Sequence, residues 1–250
     1  MKLLSLYLTC AKKASRALLM NWILIVASVA CYLIYQFIAG LFQSGGFAGG
    51  LLVGLVQIYL LTLYYGWLHQ VHQNQALKLS DFSHFDYSLF SGIINVGFIF
   101  FMGLFLAGLT AQATSQPAII LIPQLVILLV FNCIPESIYI HRYDSFSALR
   151  HAYNFTRDYW IEWYLPFVLL LLPWALTNPS GALVVLSQTD NLLPTLPIIP
   201  ATSVLLARLH APAILSLTLG VILATWFMLF RGYLFDSLDA RSNAKGLWGR

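Results

Sequence analysis

Six apolar runs of about membrane-spanning length constrain this chain more than any other feature. A hydrocarbon core of about 30 Å takes roughly 20 residues of α-helix to cross. The runs cover residues 21–42, 47–71, 92–112, 117–140, 163–186 and 211–231, each bounded by charged or turn-forming side chains. Composition closes the soluble alternative: 60% of the 250 residues are apolar and 9% charged, too few polar groups to cover a globule in water. The expected fold class is therefore all-α, a polytopic membrane protein in one integral domain. The first run is longer than the apolar region of a secretory signal and lacks a small-residue cleavage site, so it is expected to stay as an anchor. The fifth is the most interrupted, by Pro166, Pro173 and Asn178-Pro179-Ser180-Gly181.

Lys and Arg positions orient these spans. Of 13 basic residues, only Arg208 falls on one side; Lys2, Lys12, Lys13, Arg16, Lys78, Arg142, Arg150, Arg157, Arg231, Arg241, Lys245 and Arg250 fall on the other. The positive-inside rule then puts both termini in the cytoplasm, with 232–250 as a cytoplasmic tail. The sequon Asn154-Phe155-Thr156 would face the wrong compartment for glycosylation. A net charge of +4 without a basic block excludes nucleic acid as an expected partner. Cys10, Cys31 and Cys133 are far apart, odd in number and without metal-ligand spacing, which reads as packing.

Each pair of spans follows an amphipathic segment, so the spans are expected as three hairpins, each preceded by a cytoplasmic elbow helix. In residues 1–20, Lys2, Ser5, Thr9, Lys12, Lys13 and Arg16 form one stripe and Leu3, Leu4, Tyr7, Leu8, Ala11, Ala14 and Leu18 the other, the pattern of an interfacial helix. The second elbow, 77–87, is short, with Phe82, Phe85 and Leu89 apolar. The third follows Asp144 and Ser145, with Phe146, Leu149, Tyr153 and Trp160 opposite Arg150, Asn154, Arg157 and Asp158. Lys12, Lys13, Arg16, Arg150 and Arg157 are the candidate contacts to anionic headgroups or to a membrane-protein partner. The threefold order of elbow and hairpin also suits the parallel repeats of some transporters.

Gly66-Trp67-Leu68, the run Ala76-Leu77-Lys78-Leu79-Ser80-Asp81-Phe82 and Phe85 resemble the elbow after the second span in the YciC-like and glycerophosphodiester-phosphodiesterase membrane-domain group of bacterial proteins. Pro135-Glu136, Ser145-Phe146-Ser147-Ala148-Leu149-Arg150 and Phe155-Thr156-Arg157-Asp158-Tyr159-Trp160 resemble that group's second elbow. The resemblance spans about residues 10 to 235 in layout. It implies a six-span, non-catalytic protein of the bacterial inner membrane, connected with envelope maintenance or transport. With no phosphodiesterase domain appended, that activity is not carried over.

Ionisable groups inside a span are costly and mark candidate sites. Glu136 is the main one: it follows Pro135, lies one turn beyond Asn132, and matches the depth of Arg231 at the end of the sixth run. Asn132, Glu136 and Arg231 form the candidate intramembrane polar site, with a structural ion pair favoured over a proton or substrate site. His69 and His72 have i, i+3 spacing but no third ligand in sequence, and His84, His141 and His151 show no catalytic order. No metal, cofactor or catalytic residue is expected. Gly46, Gly50 and Gly54, with Gly45 and Gly49, form small-xxx-small spacings suited to a tight first hairpin, and Gly92, Gly97, Gly103 and Gly108 suggest close packing of the third span. The loop 187–210, with Leu192, Leu193, Leu196, Ile198 and Ile199, is too apolar for a solvated linker and is expected to fold back on the membrane or cap the bundle. The function expected first is a scaffold or envelope-maintenance protein that binds a membrane partner or lipid. The alternative is a small transporter or lipid-handling protein with a site near breaks in spans four and five, where Trp174 would line a cavity.

Overall fold

The computed structural model describes residues 2–42, 45–73, 76–83, 85–116, 118–177, 198–199, 202, 206 and 212–248, and among them it is helical without strands. The helices are α1 (Lys2–Met20), α2 (Ile23–Phe42), α3 (Gly46–His72), α4 (Tyr87–Thr114), α5 (Ala118–Val130), α6 (Ile134–Tyr139), α7 (Ser145–Thr177) and α8 (Ala213–Trp248), with a 3₁₀ turn at Leu79–Ser83. Four stretches are long and apolar enough to cross a bilayer: Ile23–Phe42, Ala48–His72, Ser80–Thr114 and Ile214–Arg241. Their outer faces carry exposed Val26, Phe37, Leu51, Phe98, Phe105 and Ile214, an apolar surface far larger than water tolerates.

The fourth run is two helices, not one. Helical structure is interrupted at Phe131–Cys133, between α5 and α6, where Pro135 sits in the first turn of α6. Proline has no N–H for the carbonyl four residues back and its ring crowds that carbonyl, so a helix starts there more easily than it passes through. Side chains satisfy carbonyls around the break: the Tyr164 hydroxyl donates to Leu128 O at 3.1 Å and Leu129 O at 2.6 Å. The fifth run instead joins its elbow in α7, whose only non-helical residue is Tyr159 (φ −133°, ψ 24°). Pro166 lies within that helix, which continues to Thr177; residues 178–186 and the side chain of Trp174 lie outside the described structure.

The elbow segments and the stretch after Arg231 pack against the rest of the bundle. Residues 232–248 are the last turns of α8, where Leu234, Phe235 and Leu238 are buried. Helix α1 packs along α8, with Cys10 Sγ 3.9 Å from Ser237 Oγ. Cys10, Ala14, Ala17 and Leu18 are buried, Trp226 donates its indole N–H to Ser15 Oγ at 3.0 Å, and Tyr7 donates to Glu162 O at 2.8 Å. The α1 face with Leu4 and Leu8 points outward. Burial pushes the Cys10 thiol up from its ordinary value, which suits a packing cysteine better than a reactive one. The second elbow is a 3₁₀ turn whose Phe82 packs on Trp67 at 4.7 Å between ring centroids, and Leu89 belongs to α4. In the third, the face packed on protein is Ala148, Ala152, Phe155 and Tyr159, while Phe146, Tyr153 and Trp160 are exposed. Lys12, Lys13, Arg16, Arg150 and Arg157 are all exposed, Arg157 beside Asp158 at 3.0 Å.

Polar side chains fix the joints. Asn21, buried between α1 and α2, donates to Ala17 O at 3.0 Å and accepts from Leu77 N at 2.9 Å. Asp86 caps α4 by accepting from Ser88 N and Leu89 N, and its other oxygen receives Arg142. Ser115, in the left-handed conformation (φ 56°), closes α4 and turns the chain into α5. Of the loop 187–210, Ile198, Ile199, Thr202 and Leu206 lie among the described residues; Ile198 and Ile199 are buried, the latter facing Gly220 of α8.

The first hairpin uses a different glycine register from the expected one. A Cβ at Gly49 would meet Phe42 O at 2.4 Å, whereas Gly50 and Gly54 have nothing within 4 Å; Gly103 and Gly108 are likewise open, and Gly92 meets Ile138 and Tyr143. Gly49→Ala should therefore lower the thermal midpoint, by an overpacking cost of about 1–3 kcal/mol. Gly50→Ala should leave it unchanged or raise it, since alanine is favoured over glycine in a helix by about 1 kcal/mol. Parallel melts of the two variants in nanodiscs check this, and equal midpoints would refute the register.

Candidate functional site

The buried polar site is built where α8 passes the break between α5 and α6. Arg231, 3% exposed, projects from α8 into the gap, and Glu136, fully buried, comes from the first turn of α6. Arg231 Nε donates to Glu136 Oε1 at 2.8 Å and Nη2 to Oε2 at 2.9 Å, a side-on bidentate pair. Nη1 donates to Asn132 Oδ1 at 2.8 Å, and Nη2 also to the Asn132 carbonyl at 2.7 Å. The guanidinium carbon lies 4.6 Å from the Trp163 ring centroid, and the indole N–H donates to Asn132 Oδ1 at 3.2 Å. One arginine thus neutralises a carboxylate, receives a tryptophan face and satisfies a carbonyl at the helix break.

The sequence-derived trio Asn132, Glu136 and Arg231 is brought together, and Trp163 joins it as a residue that the sequence pattern does not single out. Its position at the head of the apolar part of α7, with Trp160 and Tyr164 beside it, reads from sequence as an interfacial aromatic. What the pattern does not reveal is that the helix break opens a space that this ring closes.

Towards the basic end of the bundle lies a second polar layer. Arg231, Phe235 and Asp239 succeed one another at i, i+4 and i+8 on α8, so Asp239 is about 12 Å beyond Arg231 at 1.5 Å per residue. Phe235 separates the layers, with its ring 4.5 Å from Phe155, 5.5 Å from His141 and 5.6 Å from His151. Asp239 Oδ2 is 3.2 Å from His141 Nε2 and Oδ1 is 3.3 Å from His151 Nε2. His151 Nδ1 faces Ser137 Oγ at 3.1 Å, and Ser137 donates to Cys133 O at 3.2 Å. Sequence reasoning misses this cluster, because reading residues 232–250 as a tail leaves Asp239 without a position. The signal that could find it is Leu234, Phe235 and Leu238, which continue the apolar helical spacing past Arg231.

His69 and His72 do not join a common centre. His69 Nε2 contacts Gln73 at 2.9 Å, while His72 stacks on Tyr233 at 4.8 Å and has Asp236 at 3.9 Å. His84 lies outside the described residues. An apolar cleft of about 100 Å³ opens between α2, α3 and α8, edged by Ser28, Cys31, Tyr64 and Thr225, with Ile199 on its rim.

Comparison with known protein families, with curated proteins and with solved structures finds no match to this chain.

Proposed function

We propose that this chain is a six-span protein of the bacterial inner membrane, related to the YciC-like group, that works without catalysis as a scaffold for a membrane partner or lipid. In this reading α5 and α6 together form the fourth span and the part of α7 beyond Tyr159 the fifth. Both termini face the cytoplasm, and the bundle presents Lys12, Lys13 and Arg16 on α1 and Arg150 and Arg157 on α7 to headgroups or to a partner. The observation that supports it most is the closed state of the helix break. In a transporter, unwound backbone near the midplane is available to substrate; here Arg231 and Tyr164 bond the carbonyls of Asn132, Leu128 and Leu129 and Trp163 bonds Asn132 Oδ1, with the Asn132 side-chain N–H groups left without a protein partner. A site whose charges are spent on one another holds helices together and offers little to a solute.

The lipid-handling reading keeps one specific observation in its favour, the apolar cleft between α2, α3 and α8. An acyl chain is the chemistry that would suit it, at a place away from the breaks in the fourth and fifth runs.

Extraction of the protein from its native membrane into lipid nanodiscs, followed by mass spectrometry of proteins and lipids together, separates the readings. The scaffold reading expects a stoichiometric protein partner that is lost when Lys12, Lys13 and Arg16 are replaced by glutamine. A single enriched lipid or small molecule, with no protein partner, would overturn it in favour of lipid handling or transport.

A further inference from the structure

We propose that His141, His151 and Asp239 bind one divalent first-row transition ion, zinc foremost, in a site that ties α6, α7 and α8 together at the basic end of the bundle. The three residues come from the turn after α6, the first turns of α7 and the distal part of α8, and their ligating atoms all lie within 4.8 Å of one another. Zinc holds imidazole nitrogen and carboxylate oxygen at 2.0–2.2 Å, so neighbouring donors of a tetrahedral site stand roughly 3.4 Å apart. Asp239 stands close to that spacing from each imidazole, through Oδ2 at 3.2 Å from His141 and Oδ1 at 3.3 Å from His151.

Spacing alone would also describe a carboxylate hydrogen-bonded between two rings; the buried, unpartnered Nε2 of His141 favours a cation. The Ser137 hydroxyl lies 3.2 Å from Cys133 O and 3.1 Å from His151 Nδ1, contacts that orient the His151 ring. His151 Nε2 lies 3.3 Å from Asp239 Oδ1, on the side of the ring away from Ser137. His141 Nε2 is buried, close to Oδ2, and yet makes no aligned hydrogen bond. A divalent ion where the two rings and the carboxylate meet takes that Nε2 as a ligand, with imidazole in the neutral form in which histidine binds metal. Ser137 is then the outer-shell group that fixes the tautomer of a ligand. The donor set of two imidazoles and one carboxylate suits zinc and its first-row neighbours better than calcium or magnesium, and leaves a coordination position for water.

The test uses the full chain in nanodiscs, with any affinity tag removed, stripped by chelator and dialysed against zinc; metal per chain is then measured by elemental mass spectrometry. The proposal expects one zinc per chain, affinity at least 100-fold weaker in Asp239→Asn and His151→Ala, a loss of roughly 10- to 100-fold in Ser137→Ala, and no change in His72→Gln. Cobalt added to the unaltered chain should give the visible bands of a tetrahedral nitrogen and oxygen site, a readout that does not depend on any variant folding. Absence of stoichiometric zinc, absence of those bands, or full zinc retention by folded Asp239→Asn would overturn it.

Discussion

Glu136→Ala is expected to leave little folded protein in the membrane. The substitution keeps Arg231 buried in the helix break and removes its counter-charge, a loss of about 3–5 kcal/mol for a broken buried pair. Loss on that scale takes a large share of the roughly 5–15 kcal/mol that holds an ordinary domain folded. Removing the other partner should cost less. A carboxyl group can shed its charge by binding a proton and remain as a hydrogen-bond donor, whereas a guanidinium keeps its charge. Arg231→Met should therefore retain more folded protein than Glu136→Ala, with Glu136→Gln reducing yield as well. Folded yield by size-exclusion profile and the midpoint of thermal unfolding in nanodiscs measure the order. A Glu136→Gln protein of normal yield that had lost a transport activity would mark the residue as functional instead.

Replacing both charges at once is expected to restore most of what one replacement destroys. In Glu136→Leu with Arg231→Met, no uncompensated charge stays buried, and apolar replacement of a buried pair is often neutral or stabilising. Recovery should stop short of the parent protein for a reason specific to this site. Arg231 Nη2 also donates to the Asn132 carbonyl, and its loss leaves that acceptor unsatisfied, at about 1–3 kcal/mol. The double variant should thus fall between the parent and Glu136→Ala in unfolding midpoint. A double variant as unstable as the sum of the two single changes would show that the residues do not act on each other.

Much of this arrangement is legible in the order of residues, and the exceptions have physical causes. Hydropathy alone locates the four long apolar helices, because nothing but length and side-chain polarity decides whether a helix suits a bilayer. The meeting of Glu136 with Arg231 follows from depth, since two opposite charges at one level of a small bundle have few other partners. The break at Phe131–Cys133 is less legible: Pro135 announces a disturbance, but whether the helix kinks, restarts or frays depends on what fills the gap. Trp163 and Tyr164 fill it from a different helix, one that the local sequence around Pro135 cannot announce. The glycine register fails for a similar reason, because Gly46-x-x-x-Gly50 and Gly45-x-x-x-Gly49 are equally good patterns and only the hairpin geometry sets Gly49 against Phe42. In residues 232–241 the charges Asp236, Asp239 and Arg241 read as a solvated stretch, while Leu234, Phe235 and Leu238 are buried against neighbouring elements.

Cys133 lies within the closed break, buried with its thiol beside Thr156 Oγ1 at 3.7 Å, and so reports directly on whether the break ever opens. In a Cys10→Ser, Cys31→Ser background, the rate at which a membrane-impermeant maleimide labels Cys133 can be measured from each side of sealed vesicles. A static scaffold predicts no labelling from either side until the protein unfolds. Labelling from one side within minutes, at full native stability, would contradict the closed site and place a solute pathway at Asn132, Glu136 and Arg231.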